Sequence, residues 1–182
     1  MKNRIELAQY FANLGFTKGV EVGLCTGRYS RILLDNIPDL ELIGIDPYSD
    51  YEDASVSRND ITNHDNLMDA RKALAPYPKA LIVIGRAHDV AQWLPDESLD
   101  FVFIDGLHSY EGVKQDLEDW VPKVRKGGIV SGHDYYESQS GKLGVVKAVD
   151  EYVAEHGYNL QSTGWDNEAF RDDRQPDYWW LK

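Results

Sequence analysis

Apolar positions along this chain switch repeatedly between two spacings, and the switching predicts the architecture. Ile5, Ala8, Phe11 and Ala12 recur at helical intervals as far as Gly15. Val20 to Gly23 is a short strand-like run, followed by a helical stretch from Gly27 to Asn36. Leu40 to Asp46 reads as a second strand, and Thr62-x-x-Asp65 as a capping box opening a helix through Leu74. Ala80 to Gly85 is continuously apolar, which predicts a third strand buried on both faces. Val90 to Leu94 is a short helix ended by Pro95, and Leu99 to Asp105 is a fourth strand. Val113, Leu117, Trp120 and Val121 return to helical spacing before a break at Pro122. Gly127 to His133 is the fifth strand; Leu143, Val146, Val149, Tyr152 and Val153 then share a helix face that stops at Gly157. Asn159 to Thr163 and Tyr178 to Leu181 supply two last strands. Strands alternating with helices predict an α/β, doubly wound and mostly parallel sheet with helices on both faces.

Composition narrows the picture. The 182 residues carry no internal repeat or linker-like boundary, so one domain over 1–182 is expected. No run of 18 apolar residues occurs, so no membrane span is expected, and the first residues lack a secretory apolar region. The single Cys25 excludes an internal disulfide and suits a reducing, cytoplasmic location. Net charge is −12, and the basic residues are scattered apart from Lys123-Val124-Arg125-Lys126, which falls at the end of a helical pattern where cations meet the dipole. A nucleic-acid partner is therefore not expected, because phosphate contacts need a basic patch.

The candidate chemistry sits at strand ends. In Val20-Glu21-Val22-Gly23-Leu24-Cys25-Thr26-Gly27 an apolar run meets an acidic residue and two glycines lead into a helix. Asp46 closes the next strand at about the distance, roughly 20 residues, that separates a ribose-binding carboxylate from the glycine turn of a nucleotide site. The turn lacks the third glycine of a G-x-G-x-x-G dinucleotide motif, which argues against a nicotinamide enzyme. Glu21, Asp46, Asp105, His108, His133 and Asp134 all fall at the carboxyl ends of predicted strands, where open parallel sheets bind ligands.

Taken with Ile104-Asp105-Gly106-Leu107-His108-Ser109-Tyr110 and Gly127-Gly128-x-x-x-x-His133-Asp134-Tyr135, these residues resemble class I S-adenosylmethionine-dependent methyltransferases. The match is to the small-molecule O-methyltransferase-like, methyltransferase-24-type branch, over about residues 17–153. The resemblance implies a Rossmann-like sheet of about seven strands with an antiparallel last strand, and methyl transfer to a small-molecule acceptor at a hydroxyl oxygen. It implies cofactor contacts from Glu21, Gly23, Leu24, Gly27, Asp46, Pro47, Arg86, Ala87 and Asp105. Glu21 either lies under the cofactor's amino-acid portion or is simply a helix-terminus or Lys18 partner. The family often has an acidic residue where Arg86 stands, so adenine contacts there would be backbone and apolar.

A hydroxyl acceptor needs a general base or a divalent ion that acidifies it. His108, with Asp105, is the expected catalytic pair; the alternative for His108 is a cap on the following helix. Asp105 and Asp134, with His133 or His108, form a tentative site for a divalent metal such as Mg²⁺, although Tyr135 stands where related metal-dependent enzymes carry Asn or Asp. Two histidines would favour a transition metal. Tyr48, Tyr51, Tyr135, Tyr136, Trp165 and Phe170 offer aromatic surface for the acceptor. A non-catalytic cofactor-binding protein of the same fold, and a homo-oligomeric assembly, both remain compatible with these residues.

Overall fold

The structure is a computed structural model, and it describes residues 1–49, 60–137, 143–169 and 173–182. Its strands are β1 (Lys18–Val22), β2 (Glu41–Asp46), β3 (Ala80–Ile84), β4 (Leu99–Ile104), β5 (Val124–Gly132), β6 (Gln161–Ser162) and β7 (Tyr178–Leu181). They form one sheet in the order β3-β2-β1-β4-β5-β7-β6. Strands β1 to β5 pair in parallel, and β7 runs antiparallel to both β5 and β6. The antiparallel last strand expected from the family resemblance is present, and it lies inside the sheet rather than at the edge.

Among the described residues six α-helices cover the sheet: α1 (Arg4–Asn13), α2 (Arg28–Asn36), α3 (Asp60–Leu74), α4 (Ala87–Ala91), α5 (Tyr110–Trp120) and α6 (Val145–His156). Successive strand side chains point to opposite faces. Phe101 and Phe103 of β4 therefore meet Leu7 and Phe11 of α1 and Leu33 of α2, with Ile129 beside them. Val102 and Ile104 face the other way, with Val20, Val22 and Val130, onto Val113, Leu117 and Trp120 of α5 and Val149 of α6. Leu24 packs separately against Ala70 and Leu74 of α3. β1 has β2 on one side and β4 on the other, so strand order reverses there and opens a crevice at the carboxyl ends.

Four expectations need correction. β3 is not buried on both faces: it forms the sheet edge, the five-residue α4 is too short to cover it, and Leu81 and Ile84 are 55% and 54% exposed. The third helix already includes Asp60, which puts Thr62 within the helix instead of at its cap. The basic cluster does not end a helix, because α5 stops at Trp120. Lys123 pairs with Asp96, and Arg125, on β5, with Asp100. The sixth strand is only two residues long, since β7 offers it a partner only at Tyr178 and Trp179. Among the described residues no helix is long and apolar enough to cross a membrane.

The edge placement has a measurable consequence. Leu42 is fully buried in β2, so Leu42→Ala should cost about 2–5 kcal/mol in urea denaturation. Leu81→Ala, on the exposed edge, should stay within about 0.5 kcal/mol of wild type. Equal losses would place Leu81 in a core.

Candidate functional site

The glycine turn is built directly onto the end of β4. Gly23 adopts φ +89°, and a Cβ there would stand 1.9 Å from the Asp105 carbonyl oxygen, so no other residue fits. The Gly23 and Leu24 amides donate to Ile45 O, and the Asp105 amide donates to Val22 O. Gly27, at φ +73°, is the N-cap of α2 and sits against Ala70 and Leu74 of α3. Asp46 ties the two loops together. Its Oδ2 accepts from the Cys25 amide and its Oδ1 from the Tyr48 amide, both at 2.9 Å, while the Tyr48 hydroxyl donates to Cys25 O. Leu24 is buried, with its side chain over Gly44, so only its backbone faces the crevice. Pro47 follows β2 directly, and Arg86 and Ala87 are the N-cap and first residue of α4, at the end of β3.

Glu21 does not pair with Lys18. It is buried beneath the turn and accepts a hydrogen bond from the Ser30 hydroxyl of α2. Burial, reinforced by Asp105 and Asp46, pushes its carboxyl up to about 8 against the opposing effects of Ser30 and Arg4.

Beside the turn, six charged or titratable side chains form a closed ring of alternating character. His108 Nε2 lies 3.2 Å from Asp105 Oδ1 and 3.5 Å from Asp134 Oδ2. His133 Nε2 is 3.8 Å from Asp134 Oδ1, and its Nδ1 donates to Asp177 Oδ1 at 2.7 Å. Arg4 Nη2 closes the ring at 3.5 Å from Asp177 and 3.8 Å from Asp105 Oδ2. Burial alone would raise the Asp105 carboxyl, but His133, His108 and Arg4 outweigh it and hold that carboxyl well below the usual range. Burial and Arg4 depress His133, yet Asp105 and Asp177 prevail and raise it. Asp134, in a left-handed backbone conformation at φ +58°, is raised chiefly by burial, with Asp105 adding and His133 opposing.

Asp105, His108 and Asp134 each offer a ligand atom, all within 4.8 Å of one another. His133 stands outside that group: its Nδ1 bonds to Asp177 and its Nε2 lies 3.8 Å from Asp134 alone among the three. The cap of α5 is Ser109, whose Oγ accepts from the Gly112 amide, so His108 does not serve as that cap. Tyr136 and Trp165 meet edge-to-face at 5.2 Å beside this cluster. Tyr135 turns away, donating to Asp150 of α6. Tyr51 and Phe170 lie outside the described residues.

Sequence reasoning missed Arg4, Ser30, Asp173 and Asp177. Arg4 did leave a signal: it stands three, four and seven positions before Leu7, Ala8 and Phe11, on the stripe that α1 buries. Asp173 and Asp177 left none, because their partners are more than 40 positions away.

A family model described as a methyltransferase domain matches residues 20–135. An uncharacterised protein of Sinorhizobium fredii is 42% identical over 75 residues, 37% of this chain, and the match spans only 8% of that relative's length. An O-methyltransferase of Bacillus cereus solved with S-adenosylhomocysteine is 15% identical, with a TM-score of 0.71 over 98% of this chain and 80% of its own. The O-methyltransferase TomG of Streptomyces achromogenes, involved in tomaymycin synthesis and solved with S-adenosylmethionine, is 17% identical, with a TM-score of 0.66 over 98% and 78%. A candidate rRNA methylase of Clostridium thermocellum is 16% identical, with a TM-score of 0.66 over 100% and 97%. At these identities the structural likenesses establish a shared fold.

The protonated Glu21 makes stability depend on pH with a definite sign. An unfolded glutamate ionises near about 4.3. Between there and about 8 the native state holds the extra proton, so stability falls as pH rises. Replacing Glu21 by Gln should flatten that decline in urea titrations between pH 5 and 8. A slope identical to wild type would show Glu21 already ionised.

Proposed function

The chain belongs to the methyltransferase-domain family, and from that premise we propose S-adenosylmethionine-dependent methyl transfer to a hydroxyl oxygen of a small molecule. One observation carries the reading: Gly23 is seated on the Asp105 carbonyl, so a cofactor lying over the glycine turn presents its reactive end to the Asp105–His108 pair. The ligands bound to the Bacillus and Streptomyces relatives support this cofactor. Asp46 would receive the ribose hydroxyls on the lone pairs its amide donors leave over, with Gly27, Pro47, Arg86 and Ala87 around the adenosine. The net charge of −12 argues against carrying the rRNA description over to this chain, and the lone cysteine suits the cytosol.

The proposed chemistry is a single displacement. S-adenosylmethionine, when bound, would supply an electrophilic methyl group, and its transfer to the acceptor oxygen would leave the cofactor sulfur as a neutral thioether. The acceptor's proton passes to His108. A neutral imidazole that donates Nε2–H to Asp105 carries its basic lone pair on Nδ1, and the ionised carboxylate stabilises the imidazolium that forms. The cofactor supplies the electrophile; the protein supplies orientation and the proton's destination. Tyr136 and the half-exposed Trp165 would flank the acceptor.

The cluster of three donors favours a second reading of the same site, in which Asp105, His108 and Asp134 hold a divalent cation. Two carboxylates and an imidazole fit Mn²⁺, Fe²⁺ or Zn²⁺ better than Mg²⁺. Such an ion would supply acidification of the acceptor hydroxyl.

Replacing His108 by Ala should lower kcat by about 10²–10⁴-fold while S-adenosylhomocysteine affinity, read by calorimetry, stays unchanged. Unchanged turnover would remove the base, and absence of cofactor binding in wild type would remove the methyltransferase reading itself. Chelation separates the two readings of the cluster. Turnover that survives EDTA leaves the Asp105–His108 pair sufficient, whereas turnover lost and restored by Mn²⁺ assigns the cluster to a cation.

A further inference from the structure

We propose that Arg4 is a positioning residue of this site, delivered by the first turn of α1 to fix Asp105 on the side opposite His108. The inference rests on the methyl-transfer reading above and goes beyond the residues that reading uses. Arg4 is 5% exposed, and a guanidinium taken out of water at that depth must be paired. Its carboxylate partners come from two separate segments, the end of β4 and the loop before β7. Asp173 Oδ1 accepts from Nη1 at 2.7 Å, Asp177 Oδ1 lies 3.5 Å from Nη2, and Asp105 Oδ2 lies 3.8 Å from the same nitrogen. The guanidinium carbon stands 4.6 Å from the centre of the Tyr29 ring and 5.4 Å from that of Phe103. Two aromatic faces and three carboxylates leave the planar fork one orientation.

The division of Asp105 between its neighbours gives that orientation a chemical consequence. Oδ1 faces His108 and Oδ2 faces Arg4, so a swing of the carboxylate would give up its contact with one cation or the other. Arg4 thereby sets the oxygen that orients the imidazole. It also reaches the glycine turn, because Asp173 Oδ2 accepts from Arg28, the first residue of α2 after Gly27, at 3.1 Å. If Arg4 served only to join the chain's N-terminal and C-terminal segments, Asp173 and Asp177 would suffice. Other bonds already make that junction: Asn3 Nδ2 donates to Asp166, and the Gly164 amide donates to Lys2 O.

The test compares Arg4→Met and Arg4→Lys with Asn3→Ala. The last removes both the cap of α1 and the tether to Asp166, and so loosens the same turn without touching the ring. Each variant is measured for Tm, kcat, acceptor KM and S-adenosylhomocysteine affinity, and for the ring signals of His108 in ¹H–¹³C NMR at fixed pH. Arg4→Met should shift the His108 signals and lower kcat by about ten- to a hundredfold with cofactor affinity unchanged, as expected for a misplaced orienting group. Arg4→Lys should recover part of the loss, and Asn3→Ala should lower Tm while kcat and the His108 signals hold. If Arg4→Met does not fold, Arg4→Lys against Asn3→Ala carries the comparison. Unmoved His108 signals in the Arg4 variants, or a kcat loss in Asn3→Ala that matches theirs at equal Tm, would overturn the proposal. Failure of the methyl-transfer reading would appear separately, as a wild-type protein that transfers no methyl group while its NMR response to Arg4 substitution persists.

Discussion

Compensation of buried charge at one end of the sheet is the constraint on which this structure turns. Glu21, Asp46 and Asp177 are buried, and Asp105 and Asp134 nearly so, at the carboxyl ends of neighbouring strands or just before β7. Such a concentration of carboxylates would repel itself and lose hydration without matching cations or protons. Each is answered differently. Glu21 keeps its proton, Asp46 accepts backbone amides, and Asp105, Asp134 and Asp177 share Arg4, His108 and His133. Two acids of one residue type can therefore sit within a few ångströms and play opposite parts: Asp105 held ionised, Asp134 drawn toward its neutral form.

The second constraint is steric. Gly23 touches the Asp105 carbonyl, and Gly44 leaves room for Leu24 beneath the same turn. These approaches hold the glycine turn and the end of β4 as one surface, which makes their relative position a property of backbone packing rather than of loop flexibility. The proposed cofactor site and proton-accepting site would share this common floor, the arrangement on which orientation-dependent chemistry depends. The proposed acceptor side is different. Tyr136 and Trp165 belong to loops, and loops over a conserved scaffold type are where members of one fold diverge in substrate. Structural relatives at 15–17% identity accordingly share the sheet and say nothing on their own about this chain's acceptor.

Much of this architecture was legible from the chain alone, for a local reason. Strand alternation, helical stripes and glycines that must adopt positive φ are properties of short windows, and they located β1, β2, β4 and β7 and the glycine turn after β1. The same windows put Asp46, Asp105, His108, His133 and Asp134 at strand ends, because ends follow from where apolar runs stop. What the windows could not supply was neighbourhood. An apolar run such as Ala80 to Ile84 looks the same whether the sheet closes over it or leaves it at the edge, and strand order alone made it an edge. Which imidazole meets which carboxylate is equally non-local: His133 turned to Asp177, 44 positions on, and left His108 between Asp105 and Asp134. Arg4 was the clearest case. Its helical spacing marked it as buried, but only the folding of α1 and the C-terminal loop onto the strand ends brought together the three carboxylates that make burial of its charge tolerable. Periodicity and turn chemistry by themselves determined the fold class and the strand-end placement of the candidate residues; tertiary structure decided which strands flank the crevice and the charge partners within it, because adjacency and electrostatic pairing depend on distance in space and carry no period along the chain.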